Sequence, residues 1–160
     1  MAIVSRYTIA LHILAWIALV TEGKDEFVSS DRIANSVNTS PVFIRRILGK
    51  LNRKRLVKVK HGGTGTGWKL AKRSSDITLL DVYEAIVESP LFELHHSAPN
   101  DNCAVGKGIQ PALMSIYNQT EEAMKRQLAK VTIADLLKES VSHSGWDLQD
   151  LLLKLNGNQS

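Results

Sequence analysis

The chain has 160 residues, of which 44% are hydrophobic, and this composition predicts a globular protein with a substantial core rather than a disordered chain. The single cysteine excludes an internal disulfide and cannot alone complete a zinc or iron–sulfur site, so we expect a cytoplasmic protein. The net charge of +4 is divided unevenly. Residues 1–73 hold 14 basic and 4 acidic side chains, whereas residues 74–160 hold 6 basic and 12 acidic ones. Positive charge concentrated in one half favours binding to nucleic acid.

The first apolar segment, residues 9–20, has two interpretations. A secretory signal peptide is the less favoured one, because the segment contains His12 and no small-residue cleavage site follows it. The segment is also short for a membrane span. We therefore predict a first helix over about residues 2–21 that is buried on both sides through Ile9, Ile13, Trp16, Ile17 and Val20.

Two short helices follow, after a possible short strand at Phe27 and Val28. Ser29 or Ser30 is the expected N-cap of a helix over residues 31–37, whose inward side carries Ile33, Ala34 and Val37. Asn38 and Thr39 end it. Ser40 then caps the next helix, with Pro41 at its first position, and we predict that this helix runs to about residue 54.

This third helix has one apolar and one basic side. Ile44, Ile47, Leu48 and Leu51 form the apolar stripe that should face the core. At 100° per residue the opposite side carries Val42, Arg46, Gly49 and Arg53, with Arg45 and Lys50 on its flanks. Between residues 32 and 73 the chain has 12 Lys or Arg and no Asp or Glu.

The hydrophobic period then changes from helical to alternating. Residues 56–60 and 68–70 read as two strands joined by a glycine-rich loop over residues 61–67, which predicts a hairpin wing. A phosphate-binding loop is disfavoured, because the glycine spacing is wrong and a strand follows.

A helix-turn-helix and wing predict DNA binding, with bonds to guanine from Arg45 or Arg46 and contact of Val42 with a thymine methyl group. The predicted DNA-binding residues are Ser40, Pro41, Val42, Arg45, Arg46, Lys50, Arg53, Lys60, His61, Gly62 and Gly63. The alternatives are a solvated basic face for the helix and a plain flexible tip for the hairpin.

The second half of the chain is predicted to contain more helices and one long loop. Thr78 should cap a helix over residues 79–88, and residues 90–108 read as a loop that holds Cys103. Lys107 and the start of the next helix should favour the thiolate, which makes Cys103 a candidate oxidant sensor; an inert, packed cysteine is the alternative. His95, His96, Asp101 and Cys103 match no strong metal motif, and we predict no metal site.

A long helix over about residues 109–130 carries a broad apolar stripe that one small domain cannot cover. This predicts a homodimer interface that contains Leu113, Ile116, Tyr117, Thr120, Met124 and Leu128. Thr132 and Asp135 should cap a further helix to about residue 140, and Gly145 separates it from a leucine-rich tail.

Three segments together resemble the bacterial winged-helix repressor family of IscR, NsrR and CymR, the Rrf2 family. They are residues 38–51, 61–71 and 77–83. Within that family, residues 99–100, 103–106 and 109–110 are most similar to the YwnA-like branch. The resemblance implies a homodimer joined through the long helix, with the recognition helix from Ser40 and the wing at His61 both on DNA. It covers about residues 1–140. Cluster-binding members have three cysteines in the loop where this chain has only Cys103, so no iron–sulfur cofactor is expected.

The sequence therefore predicts a mostly α protein with a small β-wing. We expect a winged helix-turn-helix domain over residues 1–75, a linker helix, cysteine loop and dimerisation helix over residues 76–140, and a tail of unknown role over residues 141–160. The predicted function is sequence-specific regulation of transcription, as a homodimeric repressor of an inverted-repeat operator in double-stranded DNA. It would respond to an oxidant or a small molecule, would have no cofactor and would not bind a membrane. No catalytic arrangement was found, so a small effector-binding enzyme is one alternative and a non-specific nucleic-acid-binding protein is the other.

Overall fold

The computed structural model describes residues 3–157, which form seven α-helices and a two-stranded antiparallel sheet. The helices and strands lie in the following order: α1 (Ile3–Thr21), α2 (Ser30–Val37), α3 (Pro41–Arg53), β1 (Val57–Lys60), β2 (Gly67–Leu70), α4 (Leu79–Ile86), α5 (Ala104–Leu128), α6 (Ile133–Ser144) and α7 (Leu148–Gly157). A short 3₁₀ turn over Ser74–Asp76 precedes α4. The predicted fold class, mostly helical with a small wing, is confirmed.

Helix α1 is the centre of the core, because it is apolar around most of its circumference. Ala10, Ile13, Leu14 and Ile17 are completely buried, and α2, α4, α6 and the wing strand β2 all pack around it. Ile9 and Trp16 are only partly buried, so the prediction that they are core residues holds in part. Over the described residues, no helix is long and apolar enough to cross a membrane.

The core continues past residue 75, the predicted end of the winged helix-turn-helix domain. The 3₁₀ turn is tied to the end of α1, because the Ser74 amide donates a hydrogen bond to the Glu22 carboxylate at 2.8 Å. Farther along, the Ile133 amide donates to the Ile77 carbonyl at 2.8 Å, and the side chains of both residues are fully buried. The segments around α4 and α6 therefore share one core with the winged helix-turn-helix.

Two capping boxes set where α4 and α6 begin. Thr78 accepts from the Asp81 amide while the Asp81 carboxylate accepts from the Thr78 amide, and Thr132 and Asp135 repeat the arrangement. Both starts agree with the sequence prediction. Each box satisfies two amides that the helix itself leaves without partners, which stabilises a helix start by about 1 kcal/mol.

The wing is held to the body of the protein by Val28. Its amide and carbonyl exchange hydrogen bonds with Trp68 at 2.9 and 2.8 Å, so only Val28 of the predicted Phe27–Val28 strand pairs, as an isolated bridge. Gly67 is required at this point, since a Cβ there would lie 2.5 Å from the Val28 carbonyl oxygen. A side chain at position 67 would push the wing away from Val28.

Helix α5 begins at Ala104, earlier than the predicted start near residue 109. Gly106, Gly108 and Pro111 are poor helix formers and concealed the start in the sequence. Gly106 lies directly against the backbone of Asn100, where a Cβ would collide with the carbonyl oxygen, so a glycine is required in this first turn of α5. The other differences are smaller: α4 ends at Ile86 and α6 continues to Ser144. The leucine-rich tail forms α7.

Candidate nucleic-acid interface

The turn between α2 and α3 has the local geometry of a helix-turn-helix. Asn38 ends α2 in the left-handed conformation, with φ of 59°, and the Thr39 amide donates to the Ala34 carbonyl at 3.1 Å. Ser40 then accepts a hydrogen bond from the Phe43 amide at 3.2 Å, and Pro41 opens α3. Three residues thus redirect the chain between two well-capped helices.

The two sides of α3 differ in burial as the sequence predicted. Ile44, Ile47, Leu48 and Leu51 are buried, and truncating such a side chain to Ala typically costs about 2–5 kcal/mol. On the opposite side, Arg46 and Arg53 are exposed, and Val42 in the first turn is 60% exposed. An apolar side chain that leaves the core at the start of a basic helix is available to an external partner.

The cations of α3 fall into two groups. Arg45 donates to the Ser30 hydroxyl on α2 at 2.9 Å, and Lys50 donates to the Glu88 carboxylate beyond α4 at 2.9 Å. Arg46 and Arg53 form no salt bridge with any residue that the structure describes. Arg46 and Arg53 are therefore the free cations of the helix, whereas Arg45 and Lys50 also hold α3 against its neighbours.

The wing presents lysines along one strand and glycines at its tip. Lys58 and Lys60 both point to the exposed face of β1, and the Lys60 ammonium lies 6.0 Å from the centre of the Phe27 ring. His61, Gly62 and Gly63 follow at the exposed tip, where both glycines have φ of 72°, a conformation that favours glycine. The tip thus carries few large side chains and follows directly after Lys60.

Lys58 is not among the predicted DNA-binding residues, although it is exposed on β1 as Lys60 is. The alternation of Val57, Lys58, Val59 and Lys60 is the signal that places both lysines on one face of a strand. Together with Arg55 after α3, these lysines extend the basic surface from the helix to the wing.

Cys103 is the N-cap residue of α5 and is exposed. The backbone amides of Gly106 and Val105, in the first turn of α5, lower the pKa of the Cys103 thiol below its ordinary value. The predicted contribution from Lys107 is absent from the interactions that shift this pKa. The helix start alone therefore favours the thiolate.

The loop before α5 does not assemble a metal site. His95 Nδ1 pairs with the Ser97 carbonyl at 2.8 Å, and His96 lies 4.0 Å from Glu93. Within residues 3–157, no group of three or more His, Cys, Asp or Glu side chains is placed to hold a metal ion.

The predicted dimer residues lie on α5, none of whose residues is buried in the single chain. Ile116 is 56% exposed, and Thr120 is exposed as well. Tyr117 is partly covered by the preceding loop, because its ring stacks on Phe92 with the ring centres 4.8 Å apart. Leu113, Met124 and Leu128 are half-buried.

A family model described as "Iron-dependent Transcriptional regulator", Rrf2, matches residues 3–139. The chain belongs to the Rrf2 family of transcriptional regulators. It is 38% identical over 134 residues to YwnA of Bacillus subtilis (strain 168), named as a candidate HTH-type transcriptional regulator, which covers 83% of this chain and 95% of YwnA. This finding confirms the predicted family and the YwnA-like branch.

Two solved structures share the fold. One, described as a candidate DNA-binding protein, is 35% identical, has a TM-score of 0.65, and the match covers 82% of this chain and 98% of that one. The other, T. potens IscR, is 18% identical with a TM-score of 0.66 over 89% and 90% of the two chains. The chain is accordingly a DNA-binding transcriptional regulator and not an enzyme.

The iron in the family description does not fit the donor atoms of this chain. Its one thiol, Cys103, is exposed on the N-cap of α5, and the nearby histidines pair with a backbone carbonyl and a glutamate. An iron–sulfur cluster is normally held by several thiolates. We therefore assign no step of the regulator's action to iron.

Proposed function

We propose that the protein is a homodimeric, sequence-specific repressor that binds an inverted-repeat operator through α3 and the wing. The observation that carries the proposal is the exposed side of α3, where Val42, Arg46 and Arg53 leave the core. Arg46 has the geometry to donate two hydrogen bonds to a guanine edge in the major groove, and Val42 suits a thymine methyl group. Repression follows when a dimer on its operator excludes the transcription machinery.

The residues around this surface position it on the DNA backbone. The Ser40 hydroxyl and the amides of the first turn of α3, which Pro41 opens, suit a phosphate. Lys60, His61, Gly62 and Gly63 suit the sugar–phosphate backbone beside a minor groove, since the glycines allow close approach. Arg45 and Lys50 would contact phosphates from the flanks of α3 after exchanging their present partners.

The partner surface for a second copy is α5. Helix α5 has 25 residues, and none of them is buried in the single chain. This exposure supports an interface between α5 and a second copy of the protein. Its stripe of Leu113, Ile116, Tyr117, Thr120, Met124 and Leu128 would face the same stripe of a partner, since most soluble oligomers have two-fold symmetry. Two recognition helices related by that axis would read two half-sites.

Cys103 is the proposed site of an oxidant signal. It is exposed, has a lowered pKa, and stands where the loop enters the proposed dimer helix. Its oxidation to a sulfenic acid, or to a disulfide with an external thiol, would change the size and charge of the side chain at that entry.

A protein that binds chromosomal DNA in this way acts in the compartment that holds the DNA, the cytoplasm of a bacterium.

The test of DNA recognition is selection of duplexes from a random library, followed by affinity measurements with fluorescence anisotropy. Arg46→Ala should cost about 1–3 kcal/mol on the selected operator and much less on random DNA. Arg126→Ala, a charge-matched control on α5, should leave both affinities unchanged. Equal losses on both duplexes with Arg46→Ala would indicate a non-specific nucleic-acid-binding protein.

The test of the dimer is sedimentation velocity. The pair of substitutions Ile116→Lys and Met124→Lys should give monomers with weakened operator binding, since two ammonium groups would be buried without partners. Ser115→Lys, on the opposite side of α5, should remain dimeric. A native protein that is monomeric at micromolar concentration would exclude the proposed interface.

A further inference from the structure

A cavity of about 530 Å³ lies between α1, α6 and α7, outside the proposed DNA and dimer surfaces. Its walls include Leu11, Trp16 and Leu19 of α1, Leu137 of α6, Trp146 and, on α7, Leu151. The volume is within the range of small-molecule sites, which is about 300–1,000 Å³. The cavity is open to solvent on one side, and its mainly apolar walls favour an apolar occupant, because covering them removes apolar surface from water.

We propose that this cavity binds a neutral, largely apolar small molecule, and that its binding changes the affinity of the protein for DNA. The effect on DNA affinity rests on the proposed function, whereas the binding of the ligand rests on the cavity alone.

The charge of the ligand follows from the lining. The Arg32 guanidinium and the Lys154 ammonium lie 5.7 and 4.8 Å from the ring centres of Trp16 and Trp146, but neither side chain lines the cavity. No Asp, Glu, Lys or Arg of the described residues does so, and a charged ligand would therefore have no counter-ion in the lining. His12 is the one titratable group among the lining residues, and burial lowers its pKa, which keeps the ring neutral near neutral pH. The hydroxyls of Ser140 and Ser144 already donate to the carbonyls of Leu136 and Val141. The cavity therefore offers a ligand mainly apolar surface for van der Waals contact.

A helix from a second copy is a poorer occupant than a small molecule. The chain's own C-terminal segment already lies over the groove, since Trp146 and Leu151 form part of its wall. Leu155, one turn after Leu151, also packs against the core. The space that remains beneath this segment suits a compact ligand.

Two contacts connect the cavity to the helix-turn-helix. His12 Nε2 lies 3.1 Å from the Ser36 hydroxyl on α2, and the Arg32 guanidinium of α2 lies 5.7 Å from the centre of the Trp16 ring. His12 and Trp16 both line the cavity. A ligand that moves either side chain would shift α2, and with it the position of α3 on DNA. Coupling between two sites is typically about 5- to 150-fold in affinity.

Calorimetric titration with 1-naphthol, a neutral bicyclic aromatic, tests the site itself. We expect saturable binding to the native protein, with at least tenfold weaker binding to Ser140→Phe, which fills the cavity, and to Leu151→Gln, which makes one wall polar. Ser142→Phe, on the same helix but outside the lining, should bind as the native protein does. Binding that is absent, or equal in all four proteins, would overturn the proposal, as would equally tight binding of 1-naphthoate. Loss of the native dimer in Ser140→Phe would identify the groove as an interface between copies instead.

Anisotropy with the selected operator tests the coupling. Saturating 1-naphthol should change operator affinity at least fivefold in the native protein and less in Ser36→Ala, which should still bind 1-naphthol. An unchanged operator affinity with bound 1-naphthol would remove the regulatory part of the proposal. If the protein alone selects no operator, the proposed function fails while the calorimetric result stands by itself.

Discussion

Lys50 on α3 donates a hydrogen bond to the Glu88 carboxylate beyond the end of α4, with 2.9 Å between Nζ and Oε1. The two residues are 38 positions apart, and their contact ties the proposed recognition helix to the segment that leads into α5. Lys50 lowers the pKa of the Glu88 carboxyl, so the pair is present near neutral pH and is lost as pH falls through that lowered pKa.

The first prediction concerns the release of Lys50. Glu88→Gln should strengthen operator binding severalfold and steepen its salt dependence by about one counterion, because a freed ammonium can then reach a phosphate. Glu84→Gln removes the same charge from α4 and serves as the control. Identical salt slopes for the two variants in anisotropy titrations would show that Lys50 is not a DNA contact.

The second prediction concerns Gly49, on the basic side of α3. A Cβ there would meet no atom within 4 Å, so Gly49→Ala should raise the free energy of unfolding by about 0.5–1 kcal/mol through helix propensity. Its operator affinity should nevertheless fall, since the methyl group would occupy space proposed for DNA. Gly108→Ala in α5, where a Cβ is equally free, should be stabilised with no loss of affinity. Urea unfolding and anisotropy measure the two effects, and retained affinity in Gly49→Ala would contradict a close approach of DNA.

The third prediction concerns Tyr7, whose hydroxyl donates to the Leu79 carbonyl at 2.9 Å and whose ring meets Tyr83 edge-on at 5.6 Å. Burial, and then the nearby Tyr83, raise the pKa of Tyr7 to about 12 from an ordinary value of 10.0. The stabilisation that accompanies this raised pKa is complete below the ordinary value and is lost as pH rises through about 12.

Tyr7→Phe should therefore lower the free energy of unfolding by about 1 kcal/mol near neutral pH, the usual value of one hydrogen bond. The ultraviolet titration should lose its most alkaline tyrosinate step in this variant. Tyr117→Phe, which keeps the ring that stacks on Phe92, is the control and should retain that step. A most alkaline step that persists in Tyr7→Phe would refute the assignment.

The fourth prediction concerns the reactivity of Cys103. Because amides at the start of α5 lower the pKa of its thiol, alkylation by iodoacetamide should show a midpoint below the ordinary value of 9.0 in the folded protein. The same protein unfolded in urea is the control, since Cys103 is the one cysteine of the chain and loses those amides on unfolding. Superimposable pH–rate profiles would mean that the helix start has no influence.

Sensing by Cys103 needs a separate measurement, because reactivity alone does not show regulation. Mild peroxide should change operator affinity of the native protein and leave Cys103→Ser unaffected. Identical operator binding by the native protein before and after treatment would exclude the thiol as the switch.

Much of the proposed DNA surface was predictable because its signals are local. Ser40 and Pro41 start α3 by capping within one turn, and Asn38 ends α2 in a conformation that asparagine tolerates. The spacing of Ile44, Ile47, Leu48 and Leu51 then determines which side is buried and so which side carries Arg46. These features depend on residues a few positions apart, and the sequence alone determined them.

The tertiary structure decided the features that depend on residues distant in the chain. Lys50 meets Glu88 beyond the end of α4, and Gly67 must leave space for the backbone of Val28. The apolar cavity likewise forms only when α6 and α7 fold back onto α1. Such contacts arise from how the helices pack in three dimensions. Hydrophobic periodicity within one segment indicates which of its faces is buried, but it does not indicate which distant segment covers that face.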